Sequence, residues 1–297
     1  MLLFFMKRNS VSLVGRLKRV YRFLKPATQA LLLEYPVDMQ PRYGHGKPPH
    51  PALYKIINAR RREYEAWLDK ALIYKEVMWK LRDAKEEKDP LQPAWNNGFL
   101  PGLDMVMLYT IMSELRPRQY VEIGSGNSTK MACKAKTDRA LDCSFTSIDP
   151  KPRAEIDKLV ENVVREGFEN CTWDIASMLE ANDVLFVDNS HRILPNSDAM
   201  VFFMELLPKL RRGVVVQIHD VYLPYDYPMF MCNRFYSEQY GLAMFLLANP
   251  EKFECLMPCY FVAEDEELSA RISPMWMHAR MREVERHGGS FWFRVAK

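Results

Sequence analysis

The sequence has no surplus of either charge. Against 41 Lys and Arg stand 38 Asp and Glu, a formal net charge of +3 over 297 residues, too small a bias for a general nucleic-acid binder. Cysteines are few and scattered, at 133, 143, 171, 232, 255 and 259. No two have zinc-ribbon spacing and no secretory signal accompanies them, so reduced thiols in a cytoplasmic protein are expected. The apolar opening, residues 1–6, is too short for a signal core or a bilayer span, and its basic residues come after rather than before it.

Directly after that opening comes a basic stretch without acids. Lys7, Arg8, Arg16, Lys18, Arg19, Arg22 and Lys25 alternate with Val11, Leu13, Val14, Leu17, Val20, Tyr21 and Leu24 at roughly helical spacing. Residues 7–25 read either as an amphipathic helix in peripheral contact with an anionic membrane or partner, or as a helix docked on its own protein. Six prolines between 26 and 51 mark an irregular connection, where His45 and His50 are expected to face solvent. Residues 53–89 read as one long charged helix or two short ones, stopped by Pro90 and Pro93. Residues 1–93 thus form a basic, helical extension, and a further helix is expected near Gly102–Leu115.

From there to the end, residues 94–297, the pattern alternates. Strands are expected at Tyr120–Ile123, Ser144–Ile148, Val184–Val187 and Val214–Ile218, with helices at Ser128–Lys136, Arg153–Glu166 and Ser197–Leu210, the last capped by Asn196 or Ser197. A helix at Tyr236–Ala248, a strand within Phe253–Ala263, a helix near Met275–His287 and a final strand through Phe291-Trp292-Phe293 complete the chain. Short apolar strands alternating with helices predict an α/β fold: a doubly wound, Rossmann-like seven-stranded sheet with the last strand antiparallel.

Ligands of such sheets bind beyond the carboxyl ends of the strands. Four expected strands end in polar or glycine clusters: Glu122-Ile123-Gly124-Ser125-Gly126-Asn127-Ser128, then Asp149, then Asp188-Asn189-Ser190-His191, then His219-Asp220. Gly124 and Gly126 allow a tight turn and close approach of a ligand to the backbone. Asp149 stands 23 positions after Gly126, where a carboxylate can accept hydrogen bonds from a ribose diol. Thr129 stands where a dinucleotide turn wants a third small residue. Glu122 would repel phosphate and suit a cationic ligand. Together these favour S-adenosyl-L-methionine over NAD. Beyond the fifth strand, Tyr222, Tyr225, Arg234, Tyr236 and Glu238 could stack on and hydrogen-bond to a saccharide or another small acceptor; the other reading is a lid packing its own tyrosines.

The blocks Val121-Glu122-Ile123-Gly124-Ser125-Gly126, Ser147-Ile148-Asp149, Leu185-Phe186-Val187-Asp188-Asn189-Ser190-His191 and Gln217-Ile218-His219-Asp220 resemble the class I S-adenosylmethionine-dependent methyltransferases. Within them the sequence is similar to the bacterial methyltransferase-domain branch akin to macrolide-sugar O-methyltransferases and cephalosporin-hydroxylase-like proteins. The resemblance covers about residues 95–262 and implies a methyltransferase acting on oxygen. Glu122, Gly124, Ser125, Gly126, Ser128, Asp149 and Asp188 would bind the cofactor. His191 would be the general base. Asp188, His219 and Asp220 would hold a divalent metal that lowers the hydroxyl pKa. The family has an acid where His219 stands, which leaves the metal open between Mg, Mn, Fe and Zn. Two carboxylates and a histidine also keep open a non-haem iron oxidoreductase, beside an NAD-linked one and a non-catalytic module. A homo-oligomer is likewise open.

Overall fold

The structure, a computed structural model, describes Tyr21, Gln29, Leu31 and residues 33–297. The expected basic helix at residues 7–25 lies outside the described residues, Tyr21 apart. The chain divides into a segment Met1–Met39 and a compact unit Gln40–Lys297, and the second unit holds the sheet. Its helical lead-in consists of α1 (Pro51–Asn58), capped by His50, and α2 (Arg61–Ile73). His50 is half-buried: its Nδ1 accepts from the Leu53 amide, and its ring packs edge-on against Tyr43.

Seven strands form one sheet in the order β3-β2-β1-β4-β5-β7-β6. They are β1 (Gln119–Ile123), β2 (Ser144–Ile148), β3 (Asn162–Val164), β4 (Val184–Val187), β5 (Val215–Ile218), β6 (Phe253–Pro258) and β7 (Phe291–Val295). The pairings β1–β2, β1–β4, β2–β3 and β4–β5 are parallel; β7 runs antiparallel to both β5 and β6. This is the Rossmann-like sheet expected, with its last strand reversed. The strand order changes direction between β1 and β4, where a doubly wound sheet opens a crevice.

Three elements differ from expectation. The span Arg153–Glu166 is not a helix; it holds a short 3-10 turn at Asp157–Leu159 and then β3. The edge-strand pairing of Thr146, Ser147 and Ile148 with Asn162, Val163 and Val164 overrides the charged, helix-like composition around it. The helix expected near Met275–His287 lies earlier, at Glu266–Trp276. There the Asp265 carboxylate accepts from the Glu267 and Leu268 amides as N-cap. The span after Ser197 begins as an α-helix at Asp198–Val201, capped by the Ser197 hydroxyl, then loosens into a π-helical turn at Phe202–Leu206.

Helix α3 (Gly102–Leu115) is buried over nearly its whole length and packs on α4 (Asn127–Asp138), which comes after β1. Helix α2 packs on α3 and on the Glu266–Trp276 helix, the latter through two bidentate ion pairs, Arg61–Asp265 and Arg271–Asp69. Tyr120, Phe145, Phe186, Trp292 and Phe253 fill the core between sheet and helices, each all but inaccessible.

At the crevice, β1 and β4 come unusually close just beyond their ends. Gly124 has φ +81°, and a Cβ there would sit 1.8 Å from the Asp188 carbonyl oxygen. Any side chain meets both a left-handed backbone and a backbone clash that no rotamer relieves. Gly124→Ala is expected to destabilise the protein by about 2 kcal/mol or more, measured by urea unfolding. Wild-type stability in that variant would show that the β1–β4 approach is looser than described.

Candidate active site

Two cavities meet at this junction. The first, about 460 Å3, is lined by Ile123, Gly124, Ser125, Ile148, Asp149, Phe168 and Asp188, with residues from the loops after β2, β3 and β4. Asp149 is held in place by the turn it faces: its Oδ2 accepts from the Ser125 amide at 2.8 Å and its Oδ1 from the Lys151 amide at 2.7 Å. A carboxylate fixed in this way keeps lone pairs for a ligand diol while its charge is shared with two backbone donors. Gly126 and Ser128 line a smaller recess of about 20 Å3 beside it, shared with Phe99 and Phe186.

Glu122 lines neither space. Strand parity sends Ile123 to the cavity and Glu122 to the other face. There it is wholly buried and accepts from the Tyr120 hydroxyl at 3.0 Å and from the Thr129 hydroxyl. The Thr129 hydroxyl in turn accepts from the Gly126 amide at 3.1 Å. Glu122 is therefore a strut under the glycine turn, not a wall of the cavity as expected. Burial pushes its carboxyl up to about 7 against the hydrogen bonds that Ser128, Thr129 and Tyr120 provide, so its charge at neutral pH is partial and lies behind the turn.

The second cavity, about 510 Å3, shares Asp188 and Arg153 with the first. His191, His219, Asp220, Tyr222, Arg234 and Tyr236 are on its wall, together with Phe99, Phe230, Glu285 and His287. The structure thus gathers the ends of β4 and β5 and the expected Tyr222, Arg234 and Tyr236 around one space. Two other expected contacts lie elsewhere. Tyr225 packs against the turn at Gly44 and lines a separate groove of about 350 Å3 with Arg42, Tyr43 and Tyr240. Glu238 is fully buried and reaches the cavity only through His191.

His191 and His219 are clamped by acids on both ring nitrogens. His191 Nδ1 is 3.1 Å from Glu238 Oε2, and its Nε2 is 3.3 Å from Asp188 Oδ1 and 3.5 Å from Asp220 Oδ2. His219 Nδ1 lies 3.6 Å from Asp188 Oδ1 and 3.5 Å from Asp220 Oδ1, and its Nε2 is 3.3 Å from Asp104 Oδ2, near enough to pair though not aligned as a hydrogen bond. Burial opposes charge on both rings. Hydrogen bonds to Asp188 and Glu238, with the charges of Asp188 and Asp220, outweigh it and push His191 up to about 10. Asp220 and Asp188 likewise hold His219 well above its ordinary value. Burial would raise Asp188, but His219 and His191 together hold it far below the usual carboxylate range. His191 and Asp220 both occupy the left-handed backbone region, at φ 61° and 54°, a conformation side-chain-bearing residues adopt where the surroundings impose it. The His191 ring also stacks on Tyr236, centroids 4.7 Å apart.

This arrangement does not fit the expected metal set of Asp188, His219 and Asp220. Both ring nitrogens of His191 and of His219 already face carboxylates at 3.1 to 3.6 Å, so the lone pairs a metal would need are turned to the very acids that would supply its other ligands. Among the described residues, no three such side chains are disposed to hold a metal ion. For His191, expected as the general base, carboxylates on both ring nitrogens favour the protonated form.

Asp104 and Glu238 are the two anchors that motif reading misses in these roles. Asp104, in the first turn of α3, takes the Gly289 and Ser290 amides at 2.7 and 3.0 Å and fixes the approach to β7 behind His219. One acid in the otherwise apolar run Leu103–Leu108 is the available signal. Glu238, in the first turn of the Glu238–Ala248 helix, has its carboxyl pushed up by burial against the pull of His191.

Residues 121–221 match the model of a family described as "Methyltransferase domain". No curated protein matches the chain significantly. Among solved structures, the plantazolicin methyltransferase BpumL in complex with a monoazolic desmethylPZN analog and SAH is 12% identical over 82% of this chain and 100% of its own, with a TM-score of 0.43. The SAH-bound Podospora anserina methyltransferase PaMTH1 is 13% identical over 77% and 88%, TM-score 0.41. A structure titled cmcI-N160 SAH is 16% identical over 73% and 88%, TM-score 0.37. Likeness at that level has no bearing on substrate.

The buried charges have two measurable consequences. The folded-state value of Glu122, about 7, lies above its ordinary 4.5, so the folded protein holds a proton that the unfolded chain releases. The contribution of Glu122 to stability is full below pH 4.5 and falls as pH rises to 7, by on the order of 3 kcal/mol. Chemical denaturation between pH 4.5 and 6.5, below the range where His191 and His219 contribute, should show a slope in the wild type that is clearly smaller in Glu122→Gln. Titration of the protein with Mn2+ should give no saturable heat; stoichiometric binding would mean that the imidazolium–acid pairing yields to a metal.

Proposed function

We propose, from the premise that the chain carries an S-adenosylmethionine-dependent methyltransferase domain over residues 121–221, that it methylates oxygen on a small-molecule or saccharide acceptor. The observation that supports this best is the shared wall. The cavity beside the glycine turn shares Asp188 and Arg153 with a second cavity lined with acid and imidazole groups. Both volumes fall within the range of small-molecule sites.

In this reading Asp149 would hold the cofactor ribose, Ile148 and Phe168 would flank its adenine, and Gly124 and Ser125 would take its methionine end, with Asp188 at the boundary where the sulfonium would meet the acceptor. A carboxylate there favours the positive charge that disappears on transfer, so Asp188 orients the cofactor more than it speeds the step. The acceptor hydroxyl sits in the second cavity. Its oxygen forms a bond to the methyl carbon as the carbon–sulfur bond breaks and that electron pair stays on sulfur, giving S-adenosylhomocysteine. The hydroxyl proton passes to Asp220 Oδ2. His191, 3.5 Å away, holds that carboxylate in position, and Glu238 fixes its ring from behind. Holding oxygen and methyl in line supplies much of the acceleration.

No step is routed through a metal, because the imidazolium–acid pairs leave no donor set for one. The NAD-linked alternative has less support, since the turn lacks its third small residue. Calorimetry should show saturable heat with S-adenosylmethionine and none with NAD, and Asp149→Ala should weaken cofactor binding by about tenfold or more. Asp220→Asn should leave cofactor affinity in place but lower methyl transfer onto a panel of hydroxylated acceptors by about a hundredfold or more. Saturation by NAD alone would overturn the assignment.

A further inference from the structure

Among the described residues, two guanidinium groups on the wall of the second cavity form no ion pair with an acid. Arg153 lies 5.2 Å from the Phe99 ring and Arg234 lies 4.6 Å from the Tyr236 ring. Among the described residues, neither pairs with a carboxylate. Elsewhere on the unit arginines do find acids: Arg61 with Asp265, Arg165 with Asp157, Arg271 with Asp69. The acids near Arg153 and Arg234 are already committed. Asp188 and Asp220 face His191 and His219, which leaves Glu285, exposed at the rim, as the one further acid on that wall. Arg192 adds a third guanidinium, 5.4 Å from the same Tyr236 ring. Its own hydrogen bonds go to the backbone oxygens of Arg234 and Ser190 rather than to an acid. The same wall carries two large apolar side chains turned to solvent, Phe99 at 52% and Phe230 at 59% exposed.

We propose that the acceptor is an anion: a hydroxylated molecule that also carries a carboxylate or a phosphate, its charge held by Arg234 and its flat or apolar body lying on Phe99 and Phe230. The inference rests on the second cavity being the acceptor site. A guanidinium offers paired N–H donors that match either oxyanion, and a bound anion relieves the repulsion between Arg234 and Arg192 on one tyrosine. Arg153, at the boundary of both cavities, adds attraction from the cofactor side. Phenyl rings left open to water beside cationic groups suit an amphiphilic ligand better than a neutral sugar, which would call for hydrogen-bonding side chains there.

Calorimetry on the protein, with and without saturating S-adenosylhomocysteine, tests this with four probes: 4-hydroxybenzoate and its methyl ester, phenyl phosphate and phenol. The two anions should bind saturably and the two neutral partners at least about tenfold more weakly; comparing the two anions identifies which oxyanion the site prefers. Arg234→Gln should weaken anion binding by about tenfold to a hundredfold, and Arg234→Lys should restore part of it. Neither should change affinity for S-adenosylhomocysteine. Equal binding of the neutral partners, anion binding untouched by Arg234→Gln, or no binding of either anion would overturn the proposal. Failure of S-adenosylhomocysteine to bind the wild type would instead count against the cofactor assignment, and the titrations on the unloaded protein would still decide the anion question.

Discussion

The approach of Gly124 to the Asp188 backbone is the constraint on which the site depends. Only a residue without a side chain lets β1 and β4 close to that distance past their ends. Because they close, Asp188 belongs at once to the chamber beside the glycine turn and to the chamber beyond β5. The same contact sets the Asp188 side chain between two imidazoles. One backbone approach therefore joins what would otherwise be two separate clefts, each with polar groups of its own.

Electrostatic closure is the second organising feature. Four acids, Asp104, Asp188, Asp220 and Glu238, surround two histidines that come from the ends of neighbouring strands. A buried acid or imidazole alone would shed its charge; Asp188 and the two imidazoles are instead each pushed toward their charged forms by one another. The left-handed backbone at His191 and Asp220 is how the chain turns both side chains into that cluster. Glu122 shows the opposite solution, a buried acid with hydroxyl partners only and its proton partly retained.

Much of this is legible in the sequence, and the failures have identifiable causes. The parallel strands stand out because each is a short apolar run ending in a polar residue, so the pattern alone puts Gly124, Asp149, Asp188, His191, His219 and Asp220 at one sheet edge. Strand β3 does not stand out, because three residues at a sheet edge take their conformation from the neighbouring β2 rather than from their own pattern. The role of Glu122 is misjudged from sequence because it depends on which face of β1 the residue takes. Asp104 and Glu238 come from helix first turns remote in sequence from the strand ends, and only tertiary packing brings them to the imidazoles. Proximity along the chain groups Tyr225 and Glu238 with Tyr222 and Tyr236, yet the loop after β5 turns them to different surroundings.

The common wall of the two chambers bears on how a one-carbon unit would travel. Among the described residues, all six thiols are unpaired and none lines either chamber, so no sulfur nucleophile of the protein stands between donor and recipient. In the direct transfer proposed above, a group passing from one chamber to the other would be handed over in a single displacement. A methyl made chiral with hydrogen isotopes would accordingly arrive with its configuration inverted.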